Sequence, residues 1–490
     1  MLRRFPFLAA VLLPLSACVP PTAVAPARVP ITPDQGLLRH DQPGMSSAPA
    51  GTSWWTLYDD PLLGQLVQQA LRDNLDLEAA SARVAQARSV LDVRRRQRLP
   101  STQLTAGAGY GSTATDQLAA ALDDTPVRTG LRYDAGLDFS WDTDLNGRLG
   151  ASVRQARAHA GEVQARADGV RIDVAVETAR AYVDICGYAA RVIDARRSID
   201  LLNQSLAVQR KRLTAGAGNR LDVVRTQGLV DEATAALPDL QAAHDNAIEE
   251  LAVLLGKPVD GMPAGATDCH AVPQLSAALP VGDVGDLLKR RPDVRAADQH
   301  LRASTAGIDI ATAELYPSVS IGAGVLSSAS HVSELDARAS TVWRIGPLLS
   351  WRFPNVAVAR AQIAAARADQ RAALADFDQS ILRALASVRT ALNSYAAAQR
   401  RREALQHAST QTGEALTLAQ RGQSLGAVDA LDVLDAERSD VAARLAATAS
   451  DANVAVAQLG LFRALGGGWQ ATDAAAPAPS PRSGAAGSAP

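Results

Sequence analysis

Gly136-Leu137-Asp138-Phe139-Ser140-Trp141 returns later in the chain as Gly346-Pro347-Leu348-Leu349-Ser350-Trp351, at an offset of 210 residues. Working outward at the same offset, Ala156-Arg157-Ala158 falls on Ala366-Arg367-Ala368. Leu221-Asp222-Val223-Val224 falls on Leu431-Asp432-Val433-Leu434, so that residues 136–256 realign on 346–466. Upstream, Leu99-Pro100-Ser101 matches Tyr316-Pro317-Ser318 at an offset of 217, which makes the loop between 101 and 136 about seven residues longer in the first copy. A self-match at fixed offset marks an internal duplication. A duplicated unit of long helices and short strands points to a ring-like or tubular assembly, not to an enzyme built around one cleft.

The quoted stretch is also a strand of two characters. Tyr133, Ala135, Leu137, Phe139 and Trp141 face one way, and Arg132, Asp134, Asp138, Ser140 and Asp142 the other. Its copy sets Trp343, Ile345, Leu349, Trp351 and Phe353 against Arg344, Gly346, Ser350 and Arg352. Partner strands bring Leu104, Ala106, Ala108 and Tyr110, then Val319, Ile321, Ala323 and Val325, to the apolar side. Strands of about ten residues with an apolar outer face, a polar inner face and aromatic ends meet the requirement of a transmembrane barrel. Two soluble hairpins packed on helices would alternate as well. Aromatics are only 4% of the chain and concentrate here, which favours the barrel. Four strands cannot close one, so the chain must associate; three copies give twelve strands, whereas two leave almost no lumen.

Between the strands lie helices of unusual length. Residues 143–215 hold about 70 residues with no proline, enough for a helix of ~100 Å. Gly216-Ala217-Gly218-Asn219 turns the chain, and a second helix returns to Leu255. The second copy repeats this from about residue 355 to Arg421, with a turn near 422–427 and a return to Leu465. Alanine allows close helix packing, while the many arginines and aspartates exclude lipid.

Both ends read as something other than core. Arg3 and Arg4 precede an apolar run from Phe7 to Leu15, and Leu15-Ser16-Ala17-Cys18 has the pattern of a lipoprotein signal. Residues 1–17 are therefore expected to be removed and Cys18 to carry a covalent lipid; an ordinary signal peptide with a chance cysteine is the alternative. Val19 and Pro20 after it lean toward outer-membrane sorting. Residues 18–53 read as an extended leader, 54–256 as the first repeat (strands about 101–114 and 129–142), and 257–281 as a linker. Residues 282–466 read as the second repeat (strands about 317–328 and 340–353), and 467–490 as a disordered tail. Cys186 and Cys269 are expected as two free thiols, with a bond between them left open. A net charge of -2 marks no nucleic-acid partner.

With the lipid signal, Pro61-Leu62, Asp76-Leu77 repeated as Asp293-Val294, Pro100 and Pro317 at the helix-to-strand switch, and Asp432-Val433-Leu434-Asp435-Ala436, the chain resembles the outer-membrane efflux factors. These are the TolC-like channels, here of the lipid-anchored OprM/NodT type, and the resemblance spans Cys18 to Trp469. It implies a mainly α fold with a transmembrane β-barrel: a homotrimer with twelve strands in the outer membrane, a twelve-helix periplasmic tunnel and an equatorial girdle. It also implies the exit duct of a tripartite pump, partnered by a periplasmic adaptor and a proton-driven inner-membrane transporter. A type I secretion exit channel and a lipid-anchored structural or adaptor protein are the alternatives.

The resemblance further places Asp432 and Asp435 at the periplasmic aperture, to which the spacing of three adds Asp429. The plain alternative is that such residues cap a helix start and complement its dipole. Asp222, Arg225, Leu221 and Leu431 are expected to pack the tips. A basic residue in the family's second turn is replaced here by Val428. No catalytic residue, metal or cofactor is indicated. Gly422-Gln423-Ser424-Leu425-Gly426 follows a helix where a nucleophile elbow needs a strand. Gly107-Ala108-Gly109-Tyr110-Gly111 reads as small strand residues, and Cys269-His270 lacks further ligands.

Overall fold

The computed structural model describes residues 20–29, 45–46, 53–281, 284–338, 340–351, 353 and 356–468. The lipidation signal at Cys18, most of the leader, Arg352 and the tail from Trp469 lie outside the described residues.

Helix starts and stops follow local chemistry. Asp60 caps α1 (Pro61–Asp73) by accepting from the N–H groups of Leu62 and Leu63, with Pro61 at a position whose missing N–H costs nothing. Helix α2 (Leu75–Arg96) ends before Pro100, and β1 (Ser101–Gly111) follows. The segment expected as plain loop instead contains α3 (Ala114–Leu122). A capping box starts it: Thr113 accepts from the Asp116 N–H while the Asp116 carboxylate accepts from the Thr113 N–H. Arg132 adds an ion pair to Asp116. Then come β2 (Gly130–Asp142), the 67-residue α4 (Arg148–Thr214) and α5 (Arg220–Leu254). The second copy runs α6 (Val284–Arg290), α7 (Pro292–Ala313), β3 (Ser318–Ala329), β4 (Thr341–Ser350), the 69-residue α8 (Val356–Ser424) and α9 (Ala430–Ala464). Among the described residues no helix is long and apolar enough to cross a membrane.

The long strands form one antiparallel sheet in the order β1-β2-β3-β4, so the two copies join through β2 and β3. Its register lines up the faces expected from alternation. Leu104, Leu137, Val325 and Trp343 form one row across all four strands, and Thr102, Phe139, Ala323 and Ile345 the next. The opposite face carries Gln103, Asp138, Gly324 and Arg344. There Arg344 reaches over β3 to Asp138 at 3.1 Å, and only glycine fits between: a Cβ at 324 would lie 2.6 Å from the Asp138 carboxylate. The long helices join the sheet at one end, and the connections 112–129, which includes α3, and 330–340 close it at the other. Outer strands β1 and β4, 11 and 10 residues long, each pair on one side only.

The chain divides into two compact units. One contains the sheet, residues 82–165 and 296–380, and the described leader residues 20–29. Thr22 donates to Asp309 through both its N–H and its hydroxyl (2.9 and 2.5 Å), and Arg28 does the same to Asp378 through its N–H and guanidinium (2.9 and 2.8 Å). The other unit contains residues 45–46, 53–81, 166–281, 284–295 and 381–468. Trp54 stacks on Phe462 at 4.7 Å, and Leu63, Leu66 and Val67 of α1 are fully buried in the same unit. The linker is built into this unit by the Tyr58–Leu275 bridge, by Ser276 N–H donating to the Leu57 carbonyl, and by the pairing of Leu279–Pro280 with Met45–Ser46.

The cysteines correct the free-thiol expectation. Cys186 in α4 and Cys269 in the linker are disulfide-bonded, with Cα atoms 4.8 Å apart. Next to Cys186, Gly187 allows α9 to pack closely, since a Cβ there would lie 2.8 Å from that of Ala452.

Candidate functional site at the hairpin tips

Both long hairpins turn by the same device. Helix α4 ends in Gly216 (φ 72°) and α8 in Gly426 (φ 75°), the left-handed residues that glycine adopts without strain. Ala217 N–H then closes on the Arg212 carbonyl and Ala427 N–H on that of Gly422, both at 2.9 Å, satisfying helix-end acceptors. Two residues on, Asn219 caps α5 through the Asp222 N–H, and Asp429 caps α9 through the Leu431 and Asp432 N–H groups. The tips are one backbone built twice.

Space inside each turn admits one side chain from two facing positions. In the first tip Arg212 faces Gly218, where a Cβ would sit 3.1 Å from that of Arg212. In the second the sizes are exchanged: Val428 faces Gly422, and a Cβ at 422 would come within 2.5 Å of it. Val428, the departure from the family pattern, thus fills the turn by packing.

The charges differ more than the backbones. Residues 210–225 include Arg210, Lys211, Arg212, Arg220 and Arg225 against Asp222 alone. Residues 420–435 include Asp429, Asp432 and Asp435 against Arg421 alone. Asp429 is committed to its cap. Asp432 and Asp435 are exposed and, among the described residues, neither carboxylate has a partner.

The expected tip packing is not made within one chain. Leu221 and Leu431 are 53% and 42% exposed, and Arg225 is exposed as well. Val433 and Leu434 are the buried apolar residues next to the second tip, and Leu202, Leu206 and Val230 form a buried cluster of the first hairpin. Near the second tip, two buried carboxylates escaped notice in the sequence. Glu437 and Asp440 fall at the register positions of Gln227 and Val230, and that contrast was the available signal. Asp440 is 1% exposed and accepts from Arg444 at 2.9 Å. Burial raises the Glu437 carboxyl above its usual range, against the lowering by hydrogen bonds from Ser205 and Gln420. With the folded value raised, the stability it contributes is complete at low pH and is lost as pH rises through that value.

The family model for outer membrane efflux proteins matches residues 66–257 and 284–467, one stretch for each copy of the duplication. The chain belongs to that family. Pyoverdine export outer membrane protein OpmQ of Pseudomonas putida is 30% identical over 480 residues, covering 94% of this chain and 97% of that protein. Nodulation protein T of Rhizobium leguminosarum bv. trifolii is 28% identical over 428 residues, covering 87% and 89%. Among solved structures, the outer-membrane channel OprN superposes with a TM-score of 0.81 at 31% identity, covering 90% of this chain and 99% of that one. This efflux protein is accordingly an outer-membrane channel, the exit duct of a tripartite pump, in a family of channels and not of enzymes.

Proposed function

We propose that the efflux protein works as a homotrimer anchored by a lipid on Cys18 and docked to a periplasmic adaptor and a proton-driven inner-membrane transporter, and that it exports small molecules. The observation that carries the trimer is the sheet. Long unpaired edges on β1 and β4 leave two rows of backbone groups unsatisfied, and an apolar face is 60–77% exposed at Leu104, Trp343, Ile345 and Leu349. Joining edge to edge around a ring satisfies both, and three copies close at twelve strands. Purified in mild detergent, the protein is expected to have the mass of three chains, to run as a heat-resistant oligomer, and to conduct in a planar bilayer. A monomer that does not conduct would overturn this.

At the aperture, Asp432 and Asp435 of three copies supply two rings of three carboxylates. Two such charges ~8 Å apart in water repel by only ~0.5 kcal/mol, and by several-fold more where the dielectric is lower. The rings favour cation entry and resist tight closure, so the closed state is held by other contacts until an adaptor spreads the tips. Asp432→Ala with Asp435→Ala is expected to reduce cation selectivity and weaken block by divalent and trivalent cations, with trimers intact. Unchanged selectivity and block would reduce both residues to helix-start charges.

A further inference from the structure

We propose that the arginine-rich end of α2 is a docking surface for the phosphate headgroups of anionic phospholipid, at the helix end of the sheet. Arg94, Arg95, Arg96 and Arg98 all fall in the seven residues before β1 begins at Ser101, and all are exposed.

The duplication supplies the control. At the same register α7 has Ala311, Thr312, Ala313 and Leu315, yet it too runs 22 residues and gives way to a proline and a strand. Ending the helix therefore needs no arginine. A helix end gains from a basic residue in its last turn, but α7 ends without one. Local pairing uses little of the charge. Arg95 meets Asp92 at 3.1 Å and Arg94 donates to Gln97 at 3.0 Å, while among the described residues the Arg96 and Arg98 guanidiniums have no partner.

Position decides what the charge faces. Trp141 belongs to the apolar face of β2, and its indole N–H donates to the Arg98 carbonyl at 3.1 Å. The arginine turn is thus tied to the side of the sheet that faces lipid, not to the face that carries Asp138 and Arg344. The same end of the sheet has exposed Leu99, Tyr316 and Trp351, the last with its ring 5.1 Å from Phe353. Aromatic rings at this level mark a membrane–water interface. A guanidinium fork fits a phosphate through two hydrogen bonds and a charge. The inference rests on the sheet being the membrane-spanning part of the channel.

The test uses the full chain as wild type, as the triple variant Arg94→Gln, Arg96→Gln, Arg98→Gln, and as the matching triple lysine variant. Each is titrated in detergent with phosphatidylglycerol, phosphatidylcholine or inorganic phosphate, and bound lipid is read by native mass spectrometry. Near an anionic surface each basic residue is worth about fivefold in partition, so three glutamines should weaken phosphatidylglycerol retention roughly a hundredfold. Wild type should prefer phosphatidylglycerol to phosphatidylcholine, the lysine variant should keep most of that preference, and bilayer ion selectivity should not change. Equal retention by the glutamine variant overturns the proposal, as does displacement of lipid by phosphate at matched concentration. A selectivity change without lipid loss also overturns it, since it puts the arginines in the water path. Should the glutamine variant not assemble, salt dependence of lipid retention in the lysine variant decides: retention unaffected by salt overturns the proposal. A wild type that neither inserts nor conducts overturns the spanning reading beneath it; normal conductance with unchanged lipid retention overturns the docking surface alone.

Discussion

Ile345→Lys is expected to remove the protein from the outer membrane, while Gly346→Lys, one residue along the same strand, leaves it there. Ile345 lies mid-strand in β4, 72% exposed, in a row with Thr102, Phe139 and Ala323. A lysine on the lipid side of a barrel costs about 2–4 kcal/mol at the bilayer midplane, and every copy in an assembly bears it. Gly346 points to the other face, in a row with Gly322, Ser140 and Ser101, where a new side chain meets nothing within 4 Å. Membrane fractionation and a heat-resistant oligomer on a gel read both outcomes. Identical behaviour of the two variants would mean that the exposed apolar face does not meet lipid.

Replacing Cys186 and Cys269 by serine should produce the second large effect. The bond closes a loop spanning 83 residues, and the loop-closure model assigns such a cross-link roughly 4.5 kcal/mol. It also fastens the linker to α4, so losing it should free Val272 and the segment that pairs with Leu57 and Tyr58. Thermal unfolding of the helical part should begin several degrees lower in the double variant, and reductant should shift the wild type by the same amount. A wild type indifferent to reductant would mean that the thiols are free in the native protein.

The duplication, the strand faces and both turns were legible because each is a local pattern. Alternation sorts Leu137 from Asp138 without knowledge of the neighbours, and the sheet register then brings the sorted residues into rows. Helix α3 was legible too, in Thr113 and Asp116 at capping-box spacing, but the proline- and glycine-flanked segment read first as a loop. The disulfide was not. One partner sits in a helix and the other in an aperiodic linker, and no local pattern reports their 4.8 Å approach. Leu221 and Leu431 mark another limit: periodicity identifies an apolar residue on a helix but not whether its own chain or another covers it. Glu437 and Asp440 were missed because an acidic residue on a long polar helix looks solvated until the packing is known.

The cysteine bond also bears on the timetable of biogenesis. Both sulfurs belong to the first half of the chain and the linker behind it, and 221 residues (490 − 269) follow Cys269. At a synthesis rate of ~5–20 residues per second, about 10–45 s separate Cys269 from residue 490. In that interval the first repeat can lock its linker in the oxidising compartment before the second repeat, so similar in sequence, is complete and can compete for the same partners. For a duplicated chain, whose characteristic error is pairing a segment with the wrong copy of its neighbour, the bond serves as a ratchet on the order of events.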